Sequence, residues 1–380
     1  MATDLTRIGE KARKEPGLVF TSLYHHISDG DNLRACYDTL EAGKATGVDG
    51  VTKREYGKNL EENLRELSEK LKRMGYRPAP KRRSYVPKPG SAKGRPLGIS
   101  NLEDKIVELA VKRTLEPIYE AVFEDSSHGY RPGRSQHQCL EALGRTIQQK
   151  KVSHVVEADV RSFFDRVNHE WLVKFLRHRI ADERVIRLII RMLKSGIMED
   201  GLVRATEEGT PQGSIVSPLL SNIYLHYVLD LWFSKRVSRQ CRGEAYYFRF
   251  ADDFLACFEH KSDAEDFHRR KLFNREGIEG ADALSVAGAD VMEHVQDLRD
   301  IFVDKVLATK DLYRLDDGEL EIEITESTMV QQKKEVIEEL QLIQNAGISI
   351  ALDDFGTGYS SLSQLNNFLY EGLMCYIDCF

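Results

Sequence analysis

Two apolar segments of this 380-residue sequence carry aspartates where strands would end. Asp159 lies near the end of an apolar run that starts at 154, and the run 245–258 is interrupted by Ala251, Asp252 and Asp253. A stable core gives no reason to place acids between apolar arms, although aspartate is also a common turn residue. Together, the two segments predict strands that deliver carboxylates to a candidate two-metal site.

A third segment, GTPQGSIVSPLLSN at 209–222, places Gln212 between two glycines and ahead of an apolar helix. By itself, this pattern is typical of a flexible turn before a helix. Glycines also let a backbone approach a ligand closely, so Gln212 is a candidate contact for a base pair.

Positive charge is concentrated in residues 71–100, which hold nine Lys or Arg and no Asp or Glu. Their proline and glycine content favours extended strands and loops over a helix. Two interpretations stay open: a solvated basic loop, or a track that binds nucleic-acid phosphates with interleaved tyrosines against the bases. The phosphate-facing candidates are Lys81, Arg82, Arg83, Lys88, Lys93 and Arg95.

The charge differs along the chain. Residues 1–270 hold 46 Lys and Arg against 39 Asp and Glu, whereas the remaining residues hold 8 against 22. This asymmetry predicts two modules, the first facing a polyanion. No apolar run has membrane length, no secretory signal is recognisable at the start, and six scattered cysteines favour a reducing cytoplasm.

Six stretches occur in one order between residues 44 and 270: GVDG at 47, RPLGI at 95, HGYRPGRS at 128, DVRSFFD at 159, GTPQG at 209 and FADD at 250. Together they resemble the reverse transcriptases of group II introns, also called maturases. The resemblance implies an α+β fold of the right-hand polymerase type, with an N-terminal and fingers region at 1–150 and a palm at 151–270. Because the match stops near 270, no thumb is expected.

The resemblance also implies metal ligands. Asp159 and Asp252 would hold two Mg²⁺ ions, with Asp253 in a supporting role. The expected partners are an RNA template or intron RNA, a DNA or RNA primer and deoxynucleoside triphosphates, with no membrane partner.

Four further residues have roles in the resemblance. Arg95, and less strongly Lys88, would contact the triphosphate, and Gln212 would lie near the nascent base pair. Phe163 would block a ribose 2′-hydroxyl, although a plain core ring is the alternative.

Residues 271–380 resemble the EAL family, which hydrolyses cyclic dimeric GMP in a β/α barrel. Glu323 and Asp353 match its metal ligands, Asp354 a second metal site and Glu326 a loop residue, although an acidic turn beside a solvated strand is the alternative. Asp282 replaces the signature glutamate, Tyr376 replaces a lysine, and several barrel segments are missing. We therefore expect an incomplete, vestigial β/α-barrel-like fragment without hydrolase activity.

Three functions follow from these patterns. The first is RNA-directed DNA polymerisation of the group II intron type. The second is maturase-like binding of intron RNA with little or no polymerase activity. The third, nucleotide signalling through the acidic part, is disfavoured by the departures from the EAL pattern.

Overall fold

The structure is a computed structural model, and it falls into two compact units that are described separately. It describes residues 5–88, 91–160, 163–199, 201–206, 208–211, 213–268, 286–292, 321–325, 341–353 and 375–377, together with 307, 310 and 316. Within these ranges, the side chains of 88, 91–93, 95, 159, 286–292, 321–325, 350–353 and 375–377 lie outside the description.

Amphipathic helices form most of the first unit. They are α1 (Thr6–Lys14), α2 (Tyr24–Ile27), α3 (Gly30–Thr39), α4 (Lys53–Tyr56), α5 (Leu60–Lys72), α6 (Leu102–Tyr119), α7 (Gln136–Gln149), α8 (Phe163–Arg166), α9 (His169–Arg177), α10 (Glu183–Leu193), α11 (Ser217–Leu225), α12 (Ser238–Gln240) and α13 (Lys261–Asp266). Two π-helical turns, at His226–Asp230 and Phe233–Val237, extend α11.

Side-chain caps fix where several helices begin. Asp29 accepts a hydrogen bond from the backbone N–H of Asn32, and a capping box joins Thr52 and Glu55 at the start of α4. Such caps satisfy N–H groups that have no partner within the helix. Helix α6 has more buried residues than any other described helix, since packing covers it on several faces.

Sheet A contains four strands in the order β2-β1-β4-β5. Their bounds are β1 (Lys81–Lys88), β2 (Ser91–Ile99), β4 (Ile197–Glu199) and β5 (Leu202–Arg204). Strands β1 and β4 are parallel, and β4 and β5 are antiparallel. The basic segment of the sequence thus forms β1 and β2, as its composition predicted.

Sheet B is antiparallel with the order β6-β7-β3-β8. Its strands are β3 (His154–Val160), β6 (Ala245–Phe250), β7 (Asp253–Phe258) and β8 (Val286–Met292). Helices separate β3 from β6 and β7 from β8, which gives the split βαβ topology. The order leaves β3 between β7 and β8, so the strand that carries Asp159 lies inside the sheet.

The second unit contains sheet C, with the order β11-β10-β9. Its strands, β9 (Glu321–Thr325), β10 (Ser349–Asp353) and β11 (Cys375–Ile377), are all parallel. A helical turn at 341–345 precedes β10, and Gly347 has the positive φ of +75° typical of a helix stop. The helical turn therefore ends directly before β10 begins. Within the described residues, no helix is both long and apolar enough to cross a membrane.

Candidate active site

The two acids of the FADD stretch lie at a tight hairpin. Phe250 and Asp253 are register partners, so Ala251 and Asp252 form a two-residue loop between β6 and β7. Ala251 has a φ of +60°, a conformation in which glycine is usual. Such strained backbone persists only where surrounding contacts hold it.

The glycine of the HGYRPGRS stretch packs directly against this loop. A Cβ added to Gly129 would lie 2.2 Å from the backbone nitrogen of Ala251 and 2.8 Å from its Cα. The backbone N–H of His128 donates to the carbonyl of Arg249 over 2.9 Å. The stretch therefore packs against the backbone of the acidic turn. A glycine is required at 129 because a side chain there would clash with Ala251.

Strand β3 brings Asp159 to the same end of sheet B. Asp159 and Asp253 are cross-strand partners in the β3–β7 ladder. Directly opposed like charges destabilise a sheet, and a bound cation offsets that cost. Among the side chains that the structure describes, no three His, Cys, Asp or Glu residues cluster as metal ligands, but the side chain of Asp159 is outside that set. The carboxylate donors and their register fit a hard divalent cation.

The GTPQG loop contacts the segment that follows β3. The N–H of Thr210 donates to the Phe164 carbonyl over 2.6 Å, and the N–H of Gly209 donates to that of Val167 over 2.8 Å. Gly209 has a φ of +87°, and an added Cβ would lie 2.9 Å from the Phe164 carbonyl oxygen. His169 Nε2 lies 2.7 Å from the Gly209 carbonyl oxygen. The loop is thus fixed beside the strand that carries Asp159.

The other end of the loop meets sheet A. Gly213, with a φ of +96°, would place an added Cβ 3.1 Å from the carbonyl oxygen of Gly98 in β2. Arg95 precedes Gly98 by three residues on the same strand. Gln212 and the side chains of Arg95 and Lys88 lie outside the described residues. The backbone nonetheless places the loop between β2 and the segment that follows β3.

Residues 86–275, half of the chain, match the family described as "Reverse transcriptase (RNA-dependent DNA polymerase)". The chain belongs to the reverse transcriptase family. Residues 263–373 match the EAL domain, which overlaps the end of the reverse transcriptase match. Both resemblances expected from the sequence are confirmed.

This reverse transcriptase is similar to bacterial proteins and to proteins that are named for introns. Group II intron-encoded protein LtrA of Lactococcus lactis subsp. cremoris is 38% identical over 231 residues, which are 60% of this chain and 38% of LtrA. Protein YkfC of Escherichia coli (strain K12) is 38% identical over 242 residues, 62% of this chain and 63% of YkfC. Nuclear intron maturase 1, mitochondrial, of Arabidopsis thaliana is 32% identical over 94 residues, 24% of this chain and 13% of the maturase. The chain thus spans less than two thirds of the length of each.

The sugar-contact prediction for Phe163 is not supported by its position. Phe163 is 2% exposed, and its ring packs 6.2 Å from that of Tyr224 in the core of the reverse transcriptase region. The next residue, Phe164, is half-buried, and its ring lies 6.3 Å from that of Tyr130, which is 49% exposed. The buried location matches the plain core ring that was the alternative.

The phosphate-facing prediction for Lys81 is wrong for this side chain. Lys81 is 3% exposed, its ammonium forms an ion pair with Glu108, and it donates to Ser100 Oγ over 2.8 Å. The second carboxylate oxygen of Glu108 accepts the N–H of Ile215 over 2.9 Å. The charge of Lys81 is therefore used to tie β1, α6 and the end of the GTPQG loop together.

The other basic candidates occupy different positions. Arg82 is half-buried and its guanidinium donates twice to the Thr46 carbonyl, over 2.9 and 2.8 Å. Arg83 is half-buried, and the side chain of Lys93 lies outside the described residues. Tyr85 on the same strand is 57% exposed. Lys81 is therefore excluded from phosphate binding. Phosphate binding by the other predicted basic residues of β1 and β2 remains a proposal.

A second buried acid anchors the entry to β1. Asp104 of α6 accepts a hydrogen bond from the Tyr76 hydroxyl and another from the N–H of Ala79 over 3.2 Å. Burial raises the pKa of the Asp104 carboxyl to about 6, although both hydrogen bonds oppose that shift. The pairing of Asp104 with segment 76–79 fixes where β1 begins.

In the second unit, two predicted EAL-like acids lie on neighbouring parallel strands. Glu323 pairs in register with Ala351 on β10, and Asp353 pairs with Thr325 on β9. Carboxyl ends of parallel strands meet at one edge of a sheet, the usual place for a barrel's site. The side chains of both acids, and all of Asp282, Glu326 and Asp354, lie outside the described residues.

Proposed function

We propose that this reverse transcriptase copies an RNA template into DNA by the group II intron type of reaction. The observation that carries the proposal is the register of Asp159 with Asp253 beside the strained turn that holds Asp252. The relatives named for group II introns and for maturation support the intron type. Fingers and palm would correspond to sheet A with its helices and to sheet B.

The chain's residues would divide the chemistry as follows. Asp159 and Asp252 would hold two divalent ions, with Mg²⁺ favoured by their carboxylate oxygens, and Asp253 would support the turn. The bound metal would lower the pKa of the primer 3′-hydroxyl and stabilise charge on the leaving pyrophosphate. Arg95 and Lys88 would orient the triphosphate, because a guanidinium matches phosphate oxygens in two directions.

The remaining contacts would select and align the nucleotide. The loop glycines allow the backbone to approach the nascent base pair, which Gln212 would contact. Phe164, rather than the buried Phe163, would face the incoming sugar because its ring is partly exposed beside Tyr130. Arg82, Arg83 and Lys93 would contribute to phosphate binding along β1 and β2.

Primer extension on an RNA template tests this proposal directly. The full chain, a labelled DNA primer and deoxynucleoside triphosphates are combined with and without Mg²⁺. Asp252→Ala should remove extension, whereas Asp38→Ala, on the exposed side of α3, is the matched control. Extension that is independent of Mg²⁺ or unchanged in Asp252→Ala would contradict the assignment.

A second candidate function is binding of intron RNA with little or no DNA synthesis. The relative named as an intron maturase and the basic strands favour it. The two functions are separated by one comparison: a maturase-like binder retains salt-sensitive RNA affinity but shows no Mg²⁺-dependent extension.

For residues 271–380 we propose no hydrolysis of cyclic dimeric GMP. Aspartate at 282 is one carbon shorter than the signature glutamate, and Tyr376 cannot supply the positive charge of a lysine. Metal-assisted hydrolysis needs a complete ligand set. Calorimetric titration of the full chain with the dinucleotide in Mg²⁺ would show saturable heat if this proposal is wrong.

A further inference from the structure

Arg249, the residue before the FADD stretch, has a fully buried side chain in which every N–H group is used. Its guanidinium donates to both carboxylate oxygens of Asp230 over 2.7 Å each and to Ser127 Oγ over 2.7 Å. It also donates to Asn222 Oδ1 over 3.0 Å and to the Ala251 carbonyl over 2.7 Å. One side chain therefore satisfies five acceptor positions.

These partners belong to three separate parts of the site. Asn222 lies in α11 and Asp230 in the π-helical turn that follows it. Ser127 precedes Gly129, whose carbonyl accepts a hydrogen bond from Asn222 Nδ2 over 2.7 Å. Ala251 lies in the loop that carries Asp252. The guanidinium thus joins a helix, the segment beneath the acidic turn and the turn itself.

Stability gives little reason to keep such a pair. Removing two charges from water costs several kcal/mol, and apolar residues of similar size often replace a buried pair without loss. The planar guanidinium, in contrast, fixes its partners in defined directions, which a lysine cannot do. The Arg249–Asp230 pair is therefore better suited to fixing the orientation of its partners than to stabilising the fold.

The hydrogen bond from Arg249 to the Ala251 carbonyl indicates which part of the site is oriented. This oxygen belongs to the peptide group that leads directly into Asp252, so holding it fixes the plane from which the Asp252 side chain departs. Ala251 has the positive φ that needs external support, and Gly129 packs closely against the Ala251 backbone. The guanidinium and Gly129 thus both contact the backbone of the residue that precedes Asp252.

We infer that Arg249, buttressed by Asp230, is a positioning residue that sets the orientation of Asp252 for metal binding. The inference rests on the proposed function, in which Asp252 is a metal ligand. Groups that orient a metal ligand typically change metal affinity or activity by about 10- to 100-fold when they are replaced. Replacing Arg249 should therefore weaken metal binding, although the metal ligands themselves remain.

The test compares full-length variants by thermal melting, by calorimetric titration with Mn²⁺ and by primer extension over a range of Mg²⁺ concentrations. Arg249→Lys keeps the charge but cannot reach all five acceptors. We expect its Mn²⁺ dissociation constant and its half-saturating Mg²⁺ concentration to rise about tenfold or more, with extension partly restored at high Mg²⁺. Asp230→Asn keeps the size of the partner and should show a smaller shift in the same direction.

Asp182→Asn is the matched control. Asp182 is also a buried carboxylate. It accepts hydrogen bonds from the N–H groups of Leu23 and Tyr24 and pairs with Arg184, none of which is a partner of Arg249. This variant should lower the melting temperature while its metal constants stay within about twofold of wild type, the scatter expected of independent sites.

The outcomes separate the inference from the proposed function. If Arg249→Lys, or Asp230→Asn where Arg249→Lys fails to fold, melts cooperatively with metal constants within about twofold of wild type, Arg249 has no positioning role. If Asp252→Ala itself binds Mn²⁺ and extends primers as wild type does, the proposed metal site is wrong. A metal defect in Arg249→Lys together with loss of metal binding in Asp252→Ala supports both.

Discussion

Asp159 and Asp253 are direct cross-strand partners, although 93 residues separate them along the chain. The ladder between β3 and β7 thereby opposes two acids at the end of sheet B, next to the loop that holds Asp252. Opposed carboxylates weaken a sheet unless a cation lies nearby. The same register that supports the proposed metal site thus makes the arrangement unfavourable when no cation is bound.

The first prediction concerns these acids. Asp159→Ala and Asp252→Ala should each reduce primer extension by about a thousandfold or more, since a catalytic metal contributes several kcal/mol to the transition state. Asp253→Asn should retain more activity and raise the melting temperature in chelator, because it removes the repulsion. Melting curves with chelator and with Mg²⁺ measure that difference, and a lower melting temperature for Asp253→Asn in chelator would contradict the argument.

The second prediction separates the two adjacent phenylalanines. Phe164→Ala should increase incorporation of ribonucleotides relative to deoxynucleotides, because it opens the partly exposed face beside Tyr130. Phe163→Ala should instead destabilise the protein by about 3–5 kcal/mol, the usual cost of removing a buried ring. Competitive incorporation assays and urea unfolding measure the two effects. If Phe163→Ala alters sugar selection at full stability, the original assignment to Phe163 is restored.

The third prediction concerns salt dependence. Neutralising Arg82, Arg83 and Lys93 to glutamine should reduce the slope of log RNA affinity against log salt by about two, as three single-strand phosphate contacts require. Lys81→Met is the control, because the buried ammonium faces Glu108. It should leave the slope unchanged yet cost about 3–5 kcal/mol in stability, since Glu108 is left without its partner. An unchanged slope in the triple variant would mean that these cations are solvated charges that do not contact the RNA phosphates.

Local pattern predicted the elements well where the elements are set by their own residues. The apolar run that starts at 154 is β3, and the acid-interrupted run at 245–258 is the β6–β7 hairpin. The spacing of apolar residues along a segment indicates whether it forms a helix or a strand, so these segments can be predicted without knowing their tertiary contacts. The two strands that carry the predicted acids are likewise neighbours in sheet B.

What the sequence did not reveal depends on partners far along the chain. The cation count of the basic segment could not show that Lys81 pairs with Glu108 of α6. Phe163 and Phe164 are identical in type, and only tertiary packing decides which one is buried. Arg249 was missed too, although a charge inside the apolar strand 245–250 is a signal that a buried partner exists.

The fourth prediction is a pH dependence that follows from Asp104. Burial raises its pKa in the folded protein to about 6, so the stability it contributes is complete below the unfolded value near 4 and is lost as the pH rises through 6. Relative to Asp104→Asn, the free energy of unfolding of wild type should fall by at most about 3 kcal/mol between pH 4 and pH 7. Urea unfolding across this range measures the difference, and parallel profiles of the two proteins would show that Asp104 is not perturbed.

The fifth prediction concerns β8, a strand without a clear sequence signal. Its residues, Val286–Met292, are rich in Gly and Ala, lie in the EAL-like match and yet pair with β3 along its length. We propose that this strand completes sheet B of the reverse transcriptase. A chain ending after residue 293 should then keep the ladder, whereas one ending after 285 leaves the β3 edge unpaired and open to aggregation.

Thermal melting and light scattering compare the two shortened chains. Losing the ladder removes several backbone hydrogen bonds, so the melting temperature of the 1–285 chain should fall about 5–15 °C below that of the 1–293 chain. Proline variants supply the matched control within the longer chain. Because successive residues of a strand alternate in direction, one of Asp290→Pro and Val291→Pro, made separately, removes an N–H aimed at β3 and should reproduce the loss. Equal melting of the 1–285 and 1–293 chains, without added scattering, would show that sheet B is stable with three strands and that β8 contributes nothing to it.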